Sequence, residues 1–206
     1  MAITWASIFS CSLLLIAGTK DDAILHFERV GAEKAHVRGV ETYTVVGTPG
    51  AVVVDGNLSE WEGIKPIHVT PGPEGPEPSD LSARAYLMRD CANLYLAIDV
   101  DDDVLISPSA AGDLWAGDGI QMIFDPLGDR KPGGLASDDH DLALGLTEDG
   151  AKVFRYSAPG LKTGDIDTFE IQIIKKPREA GYVYEIAIPW QELHPFKPGA
   201  MQTCGF

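Results

Sequence analysis

The sequence predicts an all-β protein: an antiparallel β-sandwich, jelly-roll-like, with little helix. Three observations predict it. Short runs rich in Val, Ile, Leu, Tyr and Phe recur along the chain, each of strand length. Gly, Pro, Asp or Asn stands at their ends, where a chain reverses. Between the runs no stretch repeats apolar residues at the 3.6-residue helical period, so successive strands pair directly instead of crossing over through helices.

Residues 1–18 carry no charged side chain and read as the apolar core of an export signal, although the usual basic flank is missing. A secreted or periplasmic protein follows. The weaker alternatives are a membrane anchor, since the run is close to the shortest spanning length, and lipidation at Cys11. Residues 19–41 are mixed and charged, with His26, Glu28, Arg29, Glu33, Lys34 and Arg38, and read as a linker or N-terminal extension. The sandwich itself is expected over residues 42–206.

Within it, Val45-Val46 and Ala51 to Val54 read as strand stopped by the turn Asp55-Gly56-Asn57. Pro71, Pro73, Pro76 and Pro78 remove backbone donors and make residues 70–80 an exposed loop. Ala83 to Met88 and Asn93 to Val100 form a hairpin in which Leu94, Leu96, Ile98 and Val100 share one side. Further strands are expected at Gly119 to Phe124, Leu142 to Thr147, Lys152 to Tyr156, Phe169 to Lys175 and Tyr182 to Ile188. Pro189 to Leu193 is a helical turn with proline at its start.

A chain of 206 residues holds one substantial domain. With 45% hydrophobic and 23% charged residues it builds a packed core and is not a disordered segment. Its 31 acidic against 16 basic residues, a net charge of −15, repel phosphate backbones and exclude nucleic acid as a partner. No membrane partner is expected beyond the leader. Cys11, Cys91 and Cys204 are too scattered for a disulfide framework or a zinc site, and the five histidines stand singly.

Four motifs follow in order: Val54-Asp55-Gly56-Asn57-Leu58-Ser59-Glu60-Trp61; Asn93-Leu94-Tyr95-Leu96 running into Asp101-Asp102-Asp103; Trp115-Ala116-Gly117-Asp118-Gly119-Ile120-Gln121 running to Asp125; and Gly181 to Trp190. Over roughly residues 45–206 this set resembles the family 9 carbohydrate-binding modules, cellulose- and xylan-associated sandwiches often appended to glycoside hydrolases. The resemblance implies non-catalytic binding of a plant-type polysaccharide or oligosaccharide, with glycoside hydrolase modules as partners. Family members grip a sugar between two aromatic rings. Trp115 corresponds to one of them, and an indole face does offer apolar surface for a sugar's C–H groups. Gln121 matches a polar position that reaches the sugar, where the family often has a carboxylate. The resemblance also implies a final strand region with a second tryptophan, which has no counterpart before Phe206.

Asp118 either contacts the ligand or, with more weight, holds the loop by accepting backbone N–H bonds. Trp61 and Trp190 are expected in the core or at its edge. Family members resemble calcium-stabilised modules, and Asp55, Glu60 and Asp102 are the expected hard-oxygen ligands. The acidic run Ser137 to Asp141 is either a solvated loop or a metal or sugar site. Two other readings compete. One is a haem-binding electron-transfer sandwich ligated through Met88 or Met122, the other a purely structural domain of an exported enzyme.

Overall fold

Alternation along Asn93–Asp102 organises the centre of the molecule. Leu94, Leu96, Ile98 and Val100 turn into the main core, while Tyr95 and Ala97 turn to the opposite face. A computed structural model describes residues 41–69, 81–127, 135–176 and 180–198, with side chains from Val45 onward, and the backbone of strands at 10–17, 23–29 and 204–205.

The strands are β1 (Ser10–Ala17), β2 (Ala23–Arg29), β3 (Glu41–Gly47), β4 (Ile67–Val69), β5 (Leu81–Arg89), β6 (Asn93–Asp102), β7 (Gly119–Phe124), β8 (His140–Thr147), β9 (Gly150–Ser157), β10 (Gly164–Ile166), β11 (Glu170–Lys175), β12 (Tyr182–Pro189) and β13 (Cys204–Gly205). Among the described residues, 3-10 turns interrupt them at η1 (Leu58–Trp61), η2 (Ala111–Ala116) and η3 (Trp190–Leu193). One layer runs β3-β5-β6-β12-β11, with β4 on β5; the other runs β10-β9-β8-β7-β1-β2-β3, with β13 on β1. The ladders are antiparallel apart from β1 with β7 and β3 with β5. The main core lies between the layers, with Leu94, Leu96, Ile186 and Ile188 facing Met122, Phe124, Leu142, Leu144 and Val153. Each such side chain contributes ~1.5–3 kcal/mol on burial.

Each layer also has a covered outer face. Outside the β5-β6-β12 layer, η1 brings Trp61 onto Val54, Met88, Tyr95, Ala97 and Ala187. Beneath it Glu185 is fully buried and accepts three hydrogen bonds, from Asp55 N at 2.9 Å, Gly56 N at 2.8 Å and Trp61 Nε1 at 2.8 Å. A buried carboxylate is tolerable when its lone pairs are filled in this way. Gly56 sits at φ +80°, and a side chain there would run into Ile174.

Several sequence expectations change. Ala51 to Val54 does not join a ladder: Val54 is buried and Val52 partly so on the Trp61 face, while Val53 stays exposed. Alternation reports that one side is buried, and a ladder partner is a separate matter. β4, β10, η1 and η2 were not anticipated, because each spans six residues or fewer and carries little periodicity. β2 falls within the stretch read as a linker. The proline tract 70–80 lies outside the described residues, as do residues 1–9 and 18–22. The helical turn after Pro189 is present as η3. Trp190 stands at the core edge, its Nε1 donating to Asp90 O at 3.0 Å. His140 is buried with Nε2 2.7 Å from His194 O; burial pushes it down to about 4, so it is a neutral structural side chain.

Candidate functional site

Gly119, Gln121 and Ile123 occupy one side of β7, because Met122 and Phe124 fill the core from the other. In register with them across β8 stand Gly145, Ala143 and Asp141, and Phe154 of β9 lies opposite Ala143. The β8–β9 ladder then skips Tyr156, a bulge that brings its ring beside Phe154, with centroids 4.9 Å apart. This outer face is the floor of the site.

η2 is the wall above it. Ala111 and Leu114 pack on Ala143, Phe154 and Tyr156. Two glycines allow the close seat: a side chain at Gly145 would strike Leu114, and one at Gly112 would touch the Phe154 ring. The Tyr156 hydroxyl donates to Gly112 O at 3.3 Å, which ties η2 down three residues before Trp115. Burial raises the Tyr156 phenol, and the charges of Asp141 and Asp113 add to the shift. With its backbone fixed, Trp115 holds its ring out at 60% exposure.

The loop before η2 is fastened by Asp118. Its backbone N–H donates to Ile106 O at 2.8 Å, and its carboxylate accepts the Ile106 N–H. Gly117 permits the approach, since a Cβ there would lie 2.5 Å from the Ile106 carbonyl oxygen. Burial pushes the Asp118 carboxyl up, against the pull of the Ile106 bond. Gln121 Nε2 donates to Asp141 Oδ1 at 2.9 Å, and burial likewise raises Asp141.

The predicted residues therefore separate into two groups. Trp115 stands on η2, Gln121 on the outer side of β7, and Asp118 between them with its carboxylate on Ile106 N. Asp55, Glu60 and Asp102 are not brought together. Asp55 Oδ1 accepts Asn57 N at 2.8 Å, Glu60 Oε2 accepts Ser59 Oγ at 3.0 Å, and Asp102 Oδ1 accepts Val104 N at 3.0 Å. Each bonds within its own turn, whereas ligands of one ion must converge.

Among the described residues the convergent set is Asp125, Asp138 and Asp139, whose oxygens lie within 4.8 Å of one another. Pairing of Phe124 with His140 sets the end of β7 beside the segment that enters β8. The acidic run thus divides: Asp138 and Asp139 turn to Asp125, and Asp141 to Gln121. Sequence reasoning missed Asp125, Phe154 and Tyr156. The β7 alternation already distinguished a core side from an outer side, but only the register placed residues of β8 and β9 on that outer side.

The family model described as carbohydrate family 9 binding domain-like matches residues 54–206. The chain belongs to that family. Its function is carbohydrate binding, without catalysis. Met88 and Met122, the residues of the haem alternative, are packed in separate clusters, Met88 under Trp61 and Met122 between the layers. No curated protein matches the chain. Among solved structures, a family 9 module from Caldicellulosiruptor kristjanssonii in complex with cellotriose is 22% identical with a TM-score of 0.47, the match covering 70% of this chain and 66% of that one. A family 9 module from the same organism in complex with glucose is 19% identical with a TM-score of 0.48, over 77% and 82% of the two chains.

Proposed function

We propose that the domain binds plant-type polysaccharide, xylan or cellulose, or its chain ends, on the outer face of β7, β8 and β9. Trp115 is the stacking platform, Gln121 a polar contact to hydroxyls, and Asp118 the residue that holds the loop beside the platform. The observation that carries this reading is the exposed Trp115 ring on a turn whose backbone is tied to Tyr156. Burying about 80 Å² of indole face at about 25 cal/mol/Å² contributes ~2 kcal/mol, or roughly 30-fold in Kd. Calorimetric titration with cello- and xylo-oligosaccharides tests this: Trp115→Ala is expected to lose about that factor, and unchanged affinity would remove the site.

Calcium is the proposed structural ion, held by Asp125, Asp138 and Asp139. Three carboxylates at this spacing match its preference for many hard oxygen ligands, and a divalent cation offsets their mutual repulsion. A chelator is expected to lower Tm by several degrees in the wild type and to leave Asp139→Asn unmoved; equal shifts in both would place the ion elsewhere.

The proposed setting is extracytoplasmic polysaccharide breakdown alongside glycoside hydrolase modules. It is supported by the uncharged residues 1–18 and by the family's character. Residues 10–17 also pair in the sheet, so retention of the segment and its removal on export are alternatives that N-terminal sequencing of the secreted protein separates.

A further inference from the structure

Asp141 is the charged residue of the floor that the stacking reading leaves unused. It is half-buried on the outer side of β8, and its Oδ1 is held by Gln121 Nε2 at 2.9 Å. The β8–β9 register sets it opposite Ser157, beside Tyr156, whose hydroxyl holds Gly112 of η2. A carboxylate has about four acceptor positions and an amide two N–H donors, so one bond between them leaves capacity on both. Asp141 can take hydroxyl hydrogens while Gln121 offers both a donor and an acceptor. That pairing suits a polyol, each of whose hydroxyls donates and accepts.

The charge has a second consequence. A ligand carboxylate brought onto this floor meets a fixed negative group that is partly withdrawn from solvent and so poorly screened. Among the described residues, the side-chain cation on the same side of the sheet is Lys152, opposite Gly145. It is four residues along the ladder from Asp141, about 13 Å at strand rise, and toward the end where Leu114 covers Gly145. It is too far to neutralise Asp141, and a calcium ion on Asp125, Asp138 and Asp139 is already outweighed by those three carboxylates.

We propose that Asp141, braced by Gln121, is the specificity-determining residue of the site: it accepts hydroxyls of neutral glucosyl or xylosyl units and excludes units that carry a carboxylate. The inference rests on the site assigned above to Trp115. It predicts a domain that selects unsubstituted stretches of polysaccharide and turns away uronate-bearing ones.

The test titrates the full chain, in calcium, with xylohexaose, with a glucuronate-substituted xylo-oligosaccharide and with hexagalacturonate, at about 0.15 M and about 1 M salt. Salt screens the general repulsion from the net charge of −15, leaving the local effect of Asp141. The wild type is expected to bind the neutral oligomer at least about tenfold more tightly than the acidic ones at both salts. Asp141→Asn should weaken neutral binding several-fold and bring the acidic ligands to within about twofold of it. Gln121→Lys, which sets a cation beside Asp141 without altering β8, should shift the ratio the same way if the first variant fails to fold. An unchanged ratio in the variants, or tighter wild-type binding of uronates, overturns the inference. Trp115→Ala separates the two failures: its expected loss of roughly 30-fold with an unchanged Asp141→Asn ratio sinks the selectivity alone, and its wild-type binding sinks the site itself.

Discussion

The two outer faces of the sandwich are covered by the same local device used to opposite ends. η1 and η2 are both 3-10 turns laid on a sheet, and each carries a tryptophan at or next to its last residue. Trp61 is 2% exposed and spends its indole N–H on Glu185. Trp115 is 60% exposed, on a turn tied down by the Tyr156–Gly112 bond. The difference lies in what the sheet offers underneath. Ala97 and Ala187 leave room for a ring to sink, and Glu185 supplies an acceptor at the bottom. Under η2 that volume is already taken by Leu114, Phe154 and Tyr156, so the tryptophan stays out. A buried aromatic with a satisfied polar tip stabilises the fold, and an exposed one on a fixed backbone is available to a ligand.

Exchanging the two roles is the sharpest way to break this comparison. Trp61→Ala should cost about 3–5 kcal/mol in denaturant unfolding while the remaining folded protein binds sugar normally. Trp115→Ala should cost under about 1 kcal/mol, as a surface substitution does, while losing binding. A stability loss at Trp115 comparable to that at Trp61 would make both turns structural. Next in size is Glu185→Gln, which keeps one acceptor oxygen where three donors converge and is expected to destabilise by roughly 1–3 kcal/mol. Its fluorescence signature should be a change at Trp61 with sugar titration unaltered.

Asp118→Ala tests the open side: losing the clasp to Ile106 should cost about 1 kcal/mol and weaken sugar binding several-fold, because the loop beside Trp115 is released. Unchanged affinity would detach that loop from the site.

The smallest effect concerns pH and the closed side. Asp99 lies on the Trp61 side of β6 and is paired with Arg84 and with Lys176, the latter at 2.6 Å; Lys176 also reaches Asp101 at 2.5 Å. Burial by itself raises Asp99, but the Lys176 and Arg84 interactions outweigh it and hold the carboxyl below its ordinary 3.8. A folded pKa below the unfolded one means stability that is complete above that value and lost as pH falls through the folded pKa. Urea midpoints below about pH 4 should therefore drop more steeply for the wild type than for Asp99→Asn; parallel curves would remove Asp99 from the account.

The sequence by itself determined the sandwich, most of its strands, the burial of Trp61, the edge position of Trp190 and the nearness along the chain of Trp115, Asp118 and Gln121. These rest on information local to a few residues: alternation sets which side of a strand is buried, turn residues set where it stops, and a motif of seven residues carries its own geometry. The tertiary structure decided the rest. Asp55, Glu60 and Asp102 look like ion ligands along the chain, yet each bonds within its own turn. Asp125, Asp138 and Asp139 converge only because β7 and β8 pair in one register. Asp141 meets Gln121 across twenty positions, and Tyr156 reaches Gly112 of η2 across a bulge. Contacts of that kind depend on register, and a shift of a single residue would turn every one of these side chains to the other face.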